Sequence, residues 1–176
     1  IEASKDPLSP VMNFNIAVEY EKLKQSASAV GFYLRAAEYG YETHPLIAYA
    51  SLLRVSICME SQKDRNWTVS NTILQAIEFL PTRPEAYFLM SRFYERSNQW
   101  QECYTFAKMG LLYSSIKQEE LPVDVEYIGE NGLIFEKSVS AWWVGREEES
   151  MNLLLKLAAT SDLPMNYKQA VSNNLE

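Results

Sequence analysis

Residues 84–113 read PEAYFLMSRFYERSNQWQECYTFAKMGLLY, and this stretch decides the fold. Ala86, Phe88, Leu89, Met90, Phe93 and Tyr94 form a broad apolar stripe at helical spacing, not the alternation of a strand. Pro84 stands where a first helical turn gives up no hydrogen bond. Thr82 with Glu85 has the spacing of a reciprocal cap. Asn98, Trp100 and Cys103 carry the frame into a second helix, on which the small residues Cys103 and Gly110 lie seven apart. The stretch predicts two helices that meet closely at those small residues.

Outward from it, the same signals recur. Ser9-Pro10, Thr43-His44-Pro45 and Ser161-Asp162-Leu163-Pro164 also read as helix starts. Asn131-Gly132 is flanked by helical spacing, so it does not read as a hairpin turn. The spacing predicts nine helices, near 10–24, 26–39, 45–61, 66–80, 84–97, 100–113, 125–144, 147–159 and 163–175. The seven-residue interval repeats on each second helix: Ala29 and Ala36, Val69 and Ala76, Cys103 and Gly110, Ser150 and Leu157. Successive frames are offset by 40, 34 and 47 residues.

An interval of about 34 residues is the tetratricopeptide period, and the match extends beyond it. Ala17 with Tyr20 and Ser91 with Tyr94 have that family's spacing of a small residue and a Tyr, Pro81 closes a unit, and Gly145 marks a turn. The chain therefore resembles the tetratricopeptide repeat family over nearly its whole length. The resemblance implies an all-α, right-handed α-solenoid of antiparallel helix pairs, as a single domain over 1–176. The pairs fall near 10–39, 45–80, 84–113 and 125–159, and 163–175 caps the last apolar face. The second unit carries extra residues around Ser61–Arg65. The fourth departs from the pattern, with Ser138 and Ala141 at the small and Tyr positions, and an insert starting at Ser114 precedes it.

A second resemblance rests on Ala76–Tyr94, Tyr104–Leu111 and Glu136–Arg146. These segments look like the tetratricopeptide-like region that follows the catalytic domain of some family 2 glycosyltransferases, over about 45–175. No D-x-D metal motif occurs here. The resemblance implies an accessory domain that dimerises the enzyme or positions an acceptor.

Composition narrows the function classes. Hydrophobic residues at 47% and charged residues at 22% give an ordinary globular balance. A net charge of −7 disfavours nucleic acid or an anionic membrane as partner, because both would be repelled at long range. No apolar run is long enough to span a bilayer. Ile1–Pro7 does not read as a signal peptide, and the absence of Met at position 1 suggests a processed, trimmed or excised chain. Cys58 and Cys103 read as buried small residues rather than a bridge, which fits a reducing, cytoplasmic setting.

Catalytic templates fail for want of residues. A nucleophile activated by His would need His44, the single His, which sits before Pro45 as a turn residue. His44, Cys58 and Cys103 are too few and too scattered for zinc. No glycine-rich phosphate loop occurs. Glu147-Glu148-Glu149 reads as a solvated helix start that favours the positive end of the dipole. No catalysis, cofactor or metal is expected.

What remains is binding. In the family the first helices line a concave groove, and counting from the small residue places Phe14, Ala50, Phe88 and Phe135 at one groove position. Arg54 and Arg92 share the next, and Trp142 falls on a third. The expected peptide-binding residues are Phe14, Arg54, Phe88, Arg92, Phe135 and Trp142, with two arginines as a local positive patch. The plainer reading puts Phe88 and Phe135 in the core and pairs the arginines with Glu60, Glu85 or Glu95. The Lys and Asn clamp that grips chaperone tails is not matched, since its positions hold Phe14, Val18, Ser51, Glu85 and Leu89. Trp142 and Trp143 point about 100° apart on a helix, so one is expected inside and the other outside. The function expected is a non-catalytic protein- or peptide-binding scaffold, possible also as a homodimer.

Overall fold

A computed structural model of the chain describes residues 6–62 and 65–175, and among these every regular element is a helix. In order they are α1 (Pro10–Lys22), α2 (Ser26–Gly40), α3 (Pro45–Glu60), α4 (Asn66–Phe79) and α5 (Pro84–Arg96). There follow α6 (Trp100–Leu111), α7 (Glu130–Trp143), α8 (Glu147–Ala158) and α9 (Met165–Leu175). Proline occupies the first turn of α1, α3 and α5, where its missing N–H costs nothing. Ser9 caps α1, its hydroxyl accepting from the Met12 N–H. Of the extra residues expected near 61–65, Lys63 and Asp64 lie outside the described residues.

Two local expectations are corrected. Thr82 is not the cap of α5. The cap position is Arg83, without a side-chain cap bond, and the Glu85 carboxylate accepts from the Arg83 guanidinium at 2.6 and 3.2 Å. α7 starts at Glu130 rather than near 125. Glu126 has φ 64° and Gly129 φ 82°, and neither conformation can continue a right-handed helix.

The reversal from first to second helix follows one pattern in three pairs. Lys24, Asn98 and Gly145 each adopt positive φ two residues past the end of α1, α5 and α7. The next N–H reaches back to a carbonyl of the last turn: Gln25 to Tyr20, Gln99 to Tyr94, Arg146 to Ala141. The left-handed residue's own N–H goes to Glu21, Glu95 and Trp142 respectively. These are Schellman caps, which satisfy orphan carbonyls while turning the chain. A helix joined to its neighbour by so short a turn runs antiparallel to it.

The chain divides into two compact units. Unit 1 comprises Ile1–Pro81 with Gln118–Val125, and unit 2 comprises Thr82–Lys117 with Glu126–Glu176. In unit 1, α1 packs on α2, α2 on α3 and α3 on α4, and the first helices α1 and α3 also meet. Unit 2 repeats this with α5, α6, α7 and α8, where α5 meets α7 and α9 lies on α8. Helix α9 presents Tyr167, Val171 and Leu175, spaced by four, to a cluster of Ile134, Leu154, Leu157 and Leu163. It is the capping helix.

The frame residues sit where close packing needs them. Ala29, Ala36, Ala76 and Cys103 are fully buried, and Gly110 is buried. The small-residue positions of the first helices, Ala17, Leu53, Ser91 and Ser138, are likewise fully buried. A Cβ on Gly110 would stand 2.8 Å from both Tyr87 Cβ and Leu133 Cδ2. Tyr87 Cβ is tied to its backbone and cannot retreat.

Two stability outcomes follow from this geometry. Gly110→Ala should lower the free energy of unfolding by about 1–3 kcal/mol from overpacking, which outweighs the gain of roughly 1 kcal/mol in helix propensity. Lys24→Gly should raise stability by about 1 kcal/mol, because glycine tolerates positive φ without a Cβ clash. Urea midpoints measured for both variants check the assigned contacts, and unchanged midpoints would count against them.

Candidate functional site

In unit 1 the first-helix face is organised by one carboxylate. Glu21 on α1 receives the Arg54 guanidinium from α3 through Nη2 and Nε, the latter at 3.1 Å. It also accepts from the Tyr33 hydroxyl of α2 at 2.8 Å. Arg54 Nη1 donates to the Asp124 carbonyl at 2.9 Å. A two-pronged guanidinium–carboxylate bond is the stronger type, and here it is largely shielded from water. Phe14 lies beneath this network, 4% exposed and edge-on to the Tyr33 ring at 5.7 Å.

In unit 2 the equivalent arginine is also compensated. Arg92 Nη1 donates to Glu126 at 3.0 Å, and its guanidinium lies over the Phe88 ring at 5.4 Å. Phe88 is fully buried, with the Tyr127 ring against it at 5.5 Å. Phe135 meets Tyr167 of the capping helix edge-on at 5.2 Å. Next to Phe135 in sequence, Glu136 is 4% exposed, and its Oε2 has no hydrogen-bond partner. Burial, and then the neighbouring Glu95, push its carboxyl up to about 8, against the pull of Arg92 and Arg96. The acid is therefore largely protonated at neutral pH.

Glu149 behaves in the opposite way. It is bound by Lys137 at 2.7 Å and by the Tyr104 hydroxyl at 2.9 Å, with Arg146 at 3.7 Å. The hydrogen bond from Lys137 is the main cause that holds its carboxyl below the ordinary value. The acidic triplet is thus not uniformly a solvated face. Glu147 and Glu148 are exposed, while Glu149 joins α8 to α6 and α7. Trp142 and Trp143 are both exposed, at 47% and 61%, which corrects the expectation that one is core. Trp143 stacks on Trp100 at 5.3 Å. Trp142 and Trp143 line a hollow of about 360 Å³ with Val139, Ser150, Met151 and Leu154.

No protein-family model matches the chain, and no curated protein sequence matches it. Solved structures do. PilW, a widely conserved type IV pilus biogenesis factor, is similar with a TM-score of 0.71 at 16% identity, over 97% of this chain and 70% of that one. A putative kinesin light chain of Podosopora anserina, with nearly identical TPR-like repeats, gives 0.62 at 16% identity, covering 93% and 82%. A variant of the same protein gives 0.63 at 15% identity, with the same coverage. The fold is tetratricopeptide-like.

On that tetratricopeptide frame the six expected contact residues part company. Phe14 and Phe88 are core, covered by Tyr33 and Tyr127, so they offer no open aromatic row. Phe135 is half-buried under Tyr167. Arg54 and Arg92 are held by Glu21 and Glu126, so the expected positive patch is neutralised inside each unit. Their partners differ from the Glu60, Glu85 and Glu95 anticipated from neighbouring positions. Trp142 alone of the six is widely exposed. Cys58 and Cys103 are free and buried, and burial pushes the Cys103 thiol up to about 12. His44 is exposed at the start of α3, with Nδ1 2.9 Å from Thr43 Oγ1. Among the described residues no cluster of three metal-ligating side chains occurs. Sequence reasoning missed Glu136, for which a lone Glu in an apolar stripe was the available signal.

The buried acid gives a signed pH dependence. The folded chain holds a proton on Glu136 up to about pH 8, whereas the unfolded chain loses it near the ordinary value of 4.5. Stability should therefore fall as pH rises from about 4.5 to 8 and level off above. Glu136 faces Glu95, Arg92 and Arg96 of α5, Cys103 of α6 and Tyr167 of α9, and Glu95 is the acid among them that raises it. Glu149 opposes it only in acid, where its stabilisation is lost as pH drops below the ordinary carboxyl value. Urea unfolding at pH 5 and pH 8 should show a lower midpoint at pH 8, and Glu136→Gln should flatten that difference. An equal pH slope in both proteins would refute the assignment.

Proposed function

We propose that this chain is a non-catalytic, cytoplasmic scaffold that binds a protein or peptide segment. The observation that supports the reading most is the open aromatic surface at the end of α7. Trp142 and Trp143 are exposed beside a hollow lined by Val139, Met151 and Leu154. Tryptophan supplies large contact area with few rotatable bonds, and such residues dominate binding energy where a partner excludes water from them. The rigid helical frame reduces the ordering cost of association. The net charge of −7 weighs against nucleic acid and anionic membranes as partners. Among the described residues, no helix is long and apolar enough to cross a membrane.

The same indoles would serve self-association in the alternative reading, an accessory domain that dimerises a glycosyltransferase. Sedimentation equilibrium over a concentration series separates the two. A monomer at all concentrations favours a foreign partner, and a concentration-dependent dimer lost in Trp142→Ala favours self-association.

With a partner in hand, Trp142→Ala should weaken binding by about 1–3 kcal/mol while leaving the helical circular dichroism unchanged. Equal affinity for Trp142→Ala, Trp143→Ala and the parent chain would remove this surface from the reading.

A further inference from the structure

The second helices of unit 1, α2 and α4, both pack on α3, and between them lies a hollow of about 480 Å³. Ala48 and Leu52 of α3 line it from below, and Leu34 and Ala37 line it from α2. Leu34, Glu38 and Tyr41 are spaced by four and three, so one helical face meets the hollow along its length. At one end the rings of Tyr41 and Phe79 stack at 4.4 Å. Tyr41 directly follows α2 and Phe79 is the last residue of α4, so both helices terminate at this aromatic pair. Tyr41 is 59% exposed, so the ring face turned away from Phe79 is open.

The rim of this apolar hollow is negative. Glu38 and Glu78 line it and are exposed, and Glu42 joins Glu38 and Tyr41 around a second hollow of about 490 Å³. Among the described residues none of these three carboxylates has an ion-pair partner. Arg35, one turn before Glu38, has its guanidinium over the Phe32 ring at 5.2 Å instead. Elsewhere the chain matches its carboxylates with its own cations, as Glu21 with Arg54 and Glu149 with Lys137. Neither α2 nor α4 carries a basic residue in its last turn, so the partial negative charge of two helix ends adds to the rim without offset. An open aromatic face also attracts a cation. Carboxylates, helix ends and ring thus favour the same charge at one apolar groove.

We propose that this groove between α2 and α4 docks an arginine of a partner protein whose neighbouring residues are apolar. A guanidinium is planar, so it stacks on the open Tyr41 face while forking to a carboxylate such as Glu38. The apolar neighbours occupy the space over Ala37, Ala48 and Leu52, where they displace water from weakly hydrated surface. A second copy of this chain is disfavoured as occupant, because two chains of net charge −7 repel each other. The proposal rests on the scaffold reading above only in taking the partner to be a polypeptide. It names a different surface, since Trp142 belongs to unit 2 and this groove to unit 1.

The test titrates an end-capped Gly-Leu-Arg-Leu-Gly peptide into the isotope-labelled full chain and follows amide chemical shifts. Binding should saturate with a dissociation constant below about 5 mM, and the largest shifts should fall on Leu34, Glu38, Tyr41 and Gln75. Glutamine in place of the peptide's arginine should weaken binding about tenfold, as should Glu38→Gln with Glu78→Gln in the protein. Tyr41→Ala keeps both carboxylates and should weaken binding too, which covers the case in which the double variant loses its helical circular dichroism. No saturation, equal affinity for the glutamine peptide, or unchanged affinity in the folded variants overturns the proposal. A concentration-dependent dimer of the chain that is lost in Tyr41→Ala gives the groove to a second copy and overturns it as well. Shifts centred on the Trp142 indole overturn this proposal and leave the scaffold reading standing.

Discussion

A helix with one apolar face is not stable by itself, and what makes the short helices of the described residues into a fold is the way the chain turns back between them. The reversal needs a residue with positive φ immediately after a first helix, so that two late carbonyls are satisfied and the next helix leaves in the opposite direction. Lys24, Asn98 and Gly145 supply it in three pairs. The turn fixes which residues of the second helix face the first, and close approach there admits only small or compact side chains. Ala29, Cys103 and Ser150 each lie five residues beyond their turn residue, and each is buried. Turn and contact are therefore one constraint seen twice, and the packing of first helix on first helix within each unit follows from it.

Charge is arranged so that the chain compensates its own cations. Arg54 with Glu21, Arg92 with Glu126 and Lys137 with Glu149 join residues from different elements. Breaking the Arg54–Glu21 pair leaves a shielded charge unmatched, so that contact specifies which elements meet more than it adds net stability. Glu136 is the exception. It sits among Glu95, Arg92 and Arg96, yet its Oε2 finds no partner, and it keeps its proton as the cheaper state. A buried acid that costs stability at neutral pH is a local conflict between site and fold, of the kind expected where packing alone did not set the residue.

Spacing within one helix, or between one helix and the next, was legible in the sequence. The small residues Ala29, Ala36, Ala76, Cys103 and Gly110 were placed by their seven-residue interval alone. The bounds of α3 and α4 were placed to within a residue by Pro45 and by the end of the apolar stripe at Phe79. Pairings over long separations were not legible. Arg54 and Glu21 are 33 residues apart, and Arg92 and Glu126 are 34 apart. Each arginine reaches a carboxylate on a different element, where a search among adjacent turns offers Glu60, Glu85 or Glu95 instead. Counting along the helix places Phe14 and Phe88 in a register, but register does not say whether a ring is covered. Tyr33 and Tyr127 decide that, and neither belongs to the helix on which the Phe stands.

The failed helix start before α7 follows the same rule. Val125, Tyr127 and Ile128 have spacing compatible with a helix, and nothing local forbids one. Glu126 and Gly129 nevertheless take left-handed conformations, and the residues before them form neither helix nor strand, with bends at Pro122 and Val123. A stretch without helix or strand leaves its main-chain groups unpaired within itself, so it persists only where something else accepts them and shelters its side chains. For Gln118–Val125 the Arg54 donor to the Asp124 carbonyl and the apolar cluster of unit 1 are part of that support.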